Sequence, residues 1–211
     1  MKKMWKRWSA AWMVLAVLMT AAGCGGKKES EPEKEPEPVY PVSIDGAEIL
    51  IGETTVQTLL DQGLSITVSE SSPDMKEITQ YEVDPELELE ANSYYSGGSI
   101  WITEHCFAHI AIVTDEEAVK MGDAVIGYME FSLVSAEDET LDKLMFNGVP
   151  ISELNREKAG EMFPDFSGDE NMWFSTSVLK DYEYFMGFDT AGNMIKLSVE
   201  KNYDVDWNNK P

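Results

Sequence analysis

The sequence predicts an α+β fold, β-rich overall, made of two small units that each pack one short helix on a mostly antiparallel sheet. Three observations lead there. From Val39 onward, apolar residues alternate in short runs separated by Gly, Pro, Asn and Asp, the pattern of half-buried strands joined by tight turns. Two segments combine helical spacing with a capping residue, and each follows an apolar stretch broken by a turn. Those stretches, Ser43-Ile44-Asp45-Gly46-Ala47 and Leu144-Met145-Phe146-Asn147-Gly148-Val149, resemble one another, with Gly46 and Gly148 102 residues apart. The chain therefore starts again, and the units are expected at 39–136 and 137–211.

In the first unit, Val42 and Ile44, then Ile49 and Ile51, flank Asp45-Gly46 as a strand, a turn and a strand. Thr54-Thr55-Val56-Gln57 has the form of a capping box. Val56, Leu59 and Leu60 then share one helical face until Gly63. Leu64, Ile66 and Val68 alternate as a strand, Ser69 to Glu77 form a loop, and Ile78 to Val83 and Leu87 to Leu89 are short strands around Pro85. Residues 99–103 and 107–114 make a hairpin across Glu104-His105, with Tyr94-Tyr95-Ser96-Gly97-Gly98 as a loop before it. After the loop Asp115 to Gly122, Ala124 to Val134 is a further strand. The second unit places a helix near Glu153 to Met162, capped by Ser152 or Asn155 and ended by Pro164. Strands at 172–179, 182–188 and 194–199 follow, the last two joined across Asp189 to Asn193.

The 211 residues carry 16 Lys+Arg against 39 Asp+Glu, a net charge of −23, so no basic face exists to meet nucleic acid. At 43% hydrophobic the chain can build a packed core, and two cysteines are too few for a disulfide scaffold.

The first 23 residues read as a signal peptide. Lys2, Lys3, Lys6 and Arg7 precede Ala10 to Ala22, a small or apolar run well short of the ~20 residues needed to cross a bilayer. The run ends in Ala21-Ala22-Gly23-Cys24, which resembles the lipobox of bacterial lipoproteins, with Ala21 where the favoured form has Leu. The resemblance implies cleavage before Cys24, a diacylglyceryl thioether on its sulfur, and anchoring at the extracytoplasmic face of a membrane, for which two acyl chains suffice. Residues 24–38 then form an acidic, Pro-rich linker with almost nothing to bury. In extended polyproline geometry the tether from Gly25 to Pro41 reaches roughly 50 Å.

One helix leading into antiparallel strands, written twice behind a lipobox, is similar to the tandem units of β-lactamase inhibitory proteins and of small helix-plus-sheet envelope lipoproteins. That resemblance implies partner binding through an exposed face and carries over no residue.

The motifs with chemical potential resolve mostly against chemistry. His105 and His109 would share a helical face, but their apolar, β-branched neighbours make a strand on which they lie ~13 Å apart, so no metal ion is expected. Cys106 lacks the Gly-rich elbow or helix start that activates a nucleophile, and reads as a half-buried thiol. Ser177-Val178-Leu179-Lys180 satisfies the Ser-x-x-Lys of penicillin-binding enzymes without their Ser-Asp-Asn or Lys-Thr-Gly elements. Asp204, Asp206 and Asn208 begin like a calcium loop, but Asn209 stands where Gly is required. The best candidate binding residues are Tyr94 and Tyr95, in a composition suited to adaptable recognition loops, and Trp101. The expectation is a non-catalytic, lipid-anchored binding protein without a cofactor. It is held to the membrane through Cys24 and engages an unknown protein or envelope component. The alternative is a small cell-wall or glycan hydrolase.

Overall fold

Backbone geometry at two turns explains the first strand pairs. In the computed structural model, which describes residues 38–203 except 73, 75, 135, 170 and 176–180, Asp45 and Gly46 have φ of 50° and 85°. Both central residues of a type I′ hairpin turn need this left-handed region, so β1 (Val42–Ile44) folds back on β2 (Ala47–Ile49). Helix α1 (Val56–Asp61) follows, capped by Thr55, whose hydroxyl accepts the Thr58 N–H at 3.2 Å. The cap lies one residue later than the capping box predicts. Thr54 is already used, accepting the Leu50 N–H at 2.8 Å, and Gln57 donates along the helix to Asp61.

β3 (Ser65–Ser71) and β4 (Ile78–Glu82) form a hairpin; β5 (Glu88–Leu89) comes next, and β6 (Ser93–Thr103) and β7 (Cys106–Thr114) form another hairpin. β8 (Val119–Lys120) pairs with β5, and β9 (Val125–Ser132) lies beside β7. A short helix absent from the sequence reading, α2 (Asp138–Leu141), leads to β10 (Leu144–Phe146) and β11 (Val149–Pro150). Their turn, Asn147-Gly148, repeats the left-handed pair with φ of 48° and 74°. A 3-10 turn at Ile151–Glu153 precedes α3 (Arg156–Met162), which is capped by Asn155. The chain closes with β12 (Ser167–Gly168), β13 (Met172–Ser175), β14 (Tyr182–Phe188) and β15 (Met194–Lys201).

The fold is α+β and β-rich, with mostly antiparallel sheets. Its two parts, however, are not side by side as independent sheets. Among the described residues, one sheet runs β12-β13-β14-β15-β9-β7-β6-β3-β4 and another runs β11-β10-β1-β2. Strands from either side of residue 136 thus pair in both sheets. The edges that β9 and β15 would expose alone satisfy each other, and buried residues of both segments belong to one hydrophobic cluster. The repetition seen in the sequence nevertheless survives as approximate two-fold order. Strands β3, β6, β7 and β9 approach the seam from one side, and β12, β13, β14 and β15 from the other. Asp45 donates its N–H to the Lys143 carbonyl, and Asn147 donates to the Pro41 carbonyl, each at 2.8 Å and each at the equivalent position.

The core lies on one face of the large sheet, with Ile66, Ile100, Ile110, Met129, Leu197 and Met186 each at most 2% exposed. Tyr40 ties it to the four-stranded sheet. Its ring packs edge-on against Phe146, Phe163, Phe166 and Tyr184 at 5.0–6.1 Å, and its N–H donates to the Tyr184 hydroxyl. The expected signal peptide, Cys24, almost all of the expected linker, the Ser177-to-Lys180 motif and the Asp204-to-Asn208 tail lie outside the described residues.

Phe146 is fully buried at this junction, so Phe146→Ala should cost about 3–5 kcal/mol. Urea unfolding is expected to show a single transition at lower midpoint with an unchanged slope; two separated transitions would contradict the shared core.

Candidate functional site

A sheet buried on one face must leave the other to solvent, a second layer or a partner. Burial alternates along β9, β14 and β15, and the residues facing away from the core are half-exposed. Cross-strand register aligns them in rows. One row crosses six strands as Thr67, Ser99, His109, Glu130, Ser198 and Phe185. A second sets Ser65 against Trp101 and Trp101 against Phe107, and a third sets Ala111 against Tyr128, Glu200 and Glu183.

The rows have a fixed geometry. Trp101 donates its indole N–H to the Thr67 hydroxyl at 2.9 Å, which holds the ring across β3. Phe107 leans on it with centroids 4.9 Å apart, and His109 meets Phe107 edge-on at 4.8 Å. Both spacings suit aromatic pairs held by their quadrupoles. Beside this ladder is a depression of about 240 Å³ lined by His105, Cys106, Phe107, His109, Ser132, Val134 and Ala136.

Toward the centre of the face, Glu130 accepts from the Tyr128 hydroxyl at 2.6 Å and from Lys196 at 2.7 Å, while Lys196 also lies over the Phe185 ring. Burial works to raise the Glu130 carboxyl, but the bonds from Lys196 and Tyr128 outweigh it and hold the group below its ordinary range. Burial pushes the Tyr128 hydroxyl up, and the bond to Glu130 adds to this. Glu200 has the opposite environment. Burial raises it, the bond from Tyr94 at 3.2 Å partly compensates, and the charge of Glu183 directly across the strands raises it further.

The candidate binding residues are divided by this arrangement. Tyr94 and Tyr95 are not in a loop but within β6, which continues through Gly97-Gly98 by a register shift between Tyr95 and Gly98. The two glycines that read as loop serve close packing. A Cβ on Gly97 would lie 2.7 Å from the Ser69 carbonyl oxygen, and one on Gly98 2.6 Å from Ile110. Tyr95 packs against the core and donates to the Ser69 carbonyl at 2.6 Å. Tyr94 bonds Glu200 at the far end of the outer face, and only Trp101 stands in the aromatic ladder. Near Tyr94 the face is partly covered, since Tyr203 packs close to Gly127. The sequence reading missed Phe107, Glu130, Lys196 and Phe185 as members of one surface. The alternation in Tyr128-Met129-Glu130-Phe131-Ser132 marks its strand as two-faced, but only register brings these residues together.

Glu104-His105 forms the β6–β7 turn, as the hairpin reading places it. Cys106 is 8% exposed, and burial pushes its thiol up, away from the reactive thiolate. Among the described residues, no group of three or more His, Cys, Asp or Glu comes together to hold a metal ion, and no helix is long and apolar enough to cross a membrane. No family model, curated protein or solved structure matches this chain.

The two carboxylates give stability changes of opposite sign. Glu200 holds its proton more tightly in the fold than unfolded, so its contribution is favourable below the ordinary Glu pKa of about 4.3 and is lost as pH rises through its raised value. Glu130 is depressed, so its contribution is present above about 4.3 and is lost only as pH falls through its lowered value. At pH 7, Glu200→Gln should therefore raise the thermal midpoint and Glu130→Gln should lower it. In a calorimetric pH series the first difference closes near pH 4, and the second persists to more acid pH.

Proposed function

We propose that the protein is a lipid-anchored, extracytoplasmic binding protein that engages a protein or envelope component through the outer face of its large sheet. The observation that carries the binding reading is the patch formed by two neighbouring rows, Trp101 with Phe107 and His109 with Glu130. It offers half-exposed aromatic rings whose orientation is already fixed, next to charges already paired. Aromatic anchors with little rotamer freedom to lose are the residues that dominate binding energy at interfaces, and prearranged polar neighbours lower the cost of association. The anchoring reading is supported by the charged block, apolar run and lipobox ending in Cys24. The net charge of −23 argues against nucleic acid as the partner.

The test places a photocrosslinking amino acid at Phe107 or, outside the large sheet, at Glu153 in the 3-10 turn, in intact cells. Products should form from position 107 and not from 153, and Trp101→Ala with Phe107→Ala should weaken association by at least about tenfold, the effect of losing one or two anchors. Cys24→Ser should abolish lipid labelling and leave the product unprocessed or outside the membrane fraction. Equal crosslinking from both positions would overturn the interface, and a mature N-terminus away from Cys24 would overturn the anchor. Turnover of peptidoglycan or glycan fragments by the purified protein, lost on substitution of one carboxylate, would replace the binding reading with a hydrolase.

A further inference from the structure

The large sheet ends differently on its two sides. On one side the outermost strand is β12, only two residues long. On the other it is β4, five residues paired to β3 without a register shift and, among the described residues, to nothing else. Short strands, bulges, proline, lysine or a covering element protect most natural sheet edges. β4, Ile78-Thr79-Gln80-Tyr81-Glu82, holds no proline or lysine, its one charge is Glu82, no strand among the described residues pairs with its outer edge, and every residue in it is exposed. Two of the five large hydrophobic residues exposed among the described residues lie here, Ile78 at 71% and Tyr81 at 49%.

The hydrogen-bond alternation shows which backbone groups are open. Val83 donates to the Ile66 carbonyl, and Ser72 donates to the Glu77 carbonyl. Residues 77, 79, 81 and 83 therefore face β3, and Ile78, Gln80 and Glu82 turn their N–H and C=O groups outward. These are three donors and three acceptors at the spacing an added strand requires.

Charge selects the occupant. The β3–β4 arm carries Glu70, Asp74, Glu77 and Glu82 against Lys76 alone, and Lys76 is paired to Asp74 at 3.0 Å. A second copy would bring two such arms together, and antiparallel self-pairing about Gln80 would set Ile78 against Glu82. Both mismatches disfavour a dimer of this edge. We infer that β4 is a strand-addition site for an extended, basic segment of a partner protein. Backbone bonds to Ile78, Gln80 and Glu82 supply the pairing, and the carboxylates around them select lysine or arginine. This strand edge adjoins the outer face, with Glu82 opposite Thr67, but the inference uses the backbone groups of β4 and does not rest on the aromatic ladder.

The probe is a blocked heptapeptide alternating lysine and valine, titrated into the full chain purified in detergent. It should bind at least about tenfold tighter than its glutamate counterpart, protect the Ile78, Gln80 and Glu82 amides from hydrogen exchange, and weaken with added salt. Gln80→Pro removes an outward N–H while sparing the bonds to β3, and should weaken binding at least about tenfold. A peptide methylated on alternate backbone nitrogens makes the same test without altering the protein, and should also fail to bind. Absence of binding, equal binding of the lysine and glutamate peptides, indifference to backbone methylation, or a peptide-independent dimer lost in Gln80→Pro would each overturn the proposal.

Discussion

The pairing of β9 with β15 is the constraint on which the rest of the molecule depends. Its register runs from Tyr128 opposite Glu200 to Ser132 opposite Lys196, and it converts two four-strand arrays, extended by β4, into one sheet. Without it each array would expose an unpaired edge, and neither would bury its apolar face against a complete second layer. The same seam brings Lys196 within 2.7 Å of Glu130 and sets Ser198 between Glu130 and Phe185, so the polar centre of the outer face exists only because the seam does. In the smaller sheet the reciprocal bonds of Asp45 and Asn147 repeat the arrangement. Two seams with a common core make the folding of either part conditional on the other.

Local chemistry was legible in the sequence where it decides local structure. Asp45-Gly46 and Asn147-Gly148 announce hairpin turns because few other pairs tolerate two left-handed residues, and Asn155 was among the caps expected for the second helix. Tyr94 to Gly98 was misread for a related reason. Glycine marks a turn when nothing approaches it, but here the neighbouring backbone and Ile110 come too close for a Cβ, and the strand continues through a bulge. Helix α2, with four residues, is too short to leave a periodic signal.

The division at residue 136 illustrates the deeper limit. Repeated motifs show that the chain contains two similar runs of elements, but not whether their sheets close separately or join. That choice is made by register between strands about 70 positions apart, as at Glu130 and Ser198. The outer face was hidden for the same reason. Trp101, Phe107 and Glu130 become neighbours through pairings that no periodicity within one strand contains, and so a single tryptophan was recognisable while its surface was not.

Under the proposed anchoring, charge and tether length fit together. From Val39 onward 34 acids face 9 bases, a surplus that would repel the folded part from an anionic membrane. Screening limits that repulsion to a range of ~8 Å at physiological ionic strength, whereas an extended linker reaches roughly 50 Å. On that proposal the tether is long enough to outreach the repulsive layer, and the charge works chiefly at contact. The described ion pairs mostly involve exposed side chains, which contribute little to stability. On the proposed binding reading, the surplus of acids over bases acts instead through partner choice, penalising an acidic surface wherever it approaches and favouring a basic one. At the outer face, Glu130 is already neutralised by Lys196, so recognition there falls to the aromatic ladder. At β4 the carboxylates are largely uncompensated and recognition falls to charge.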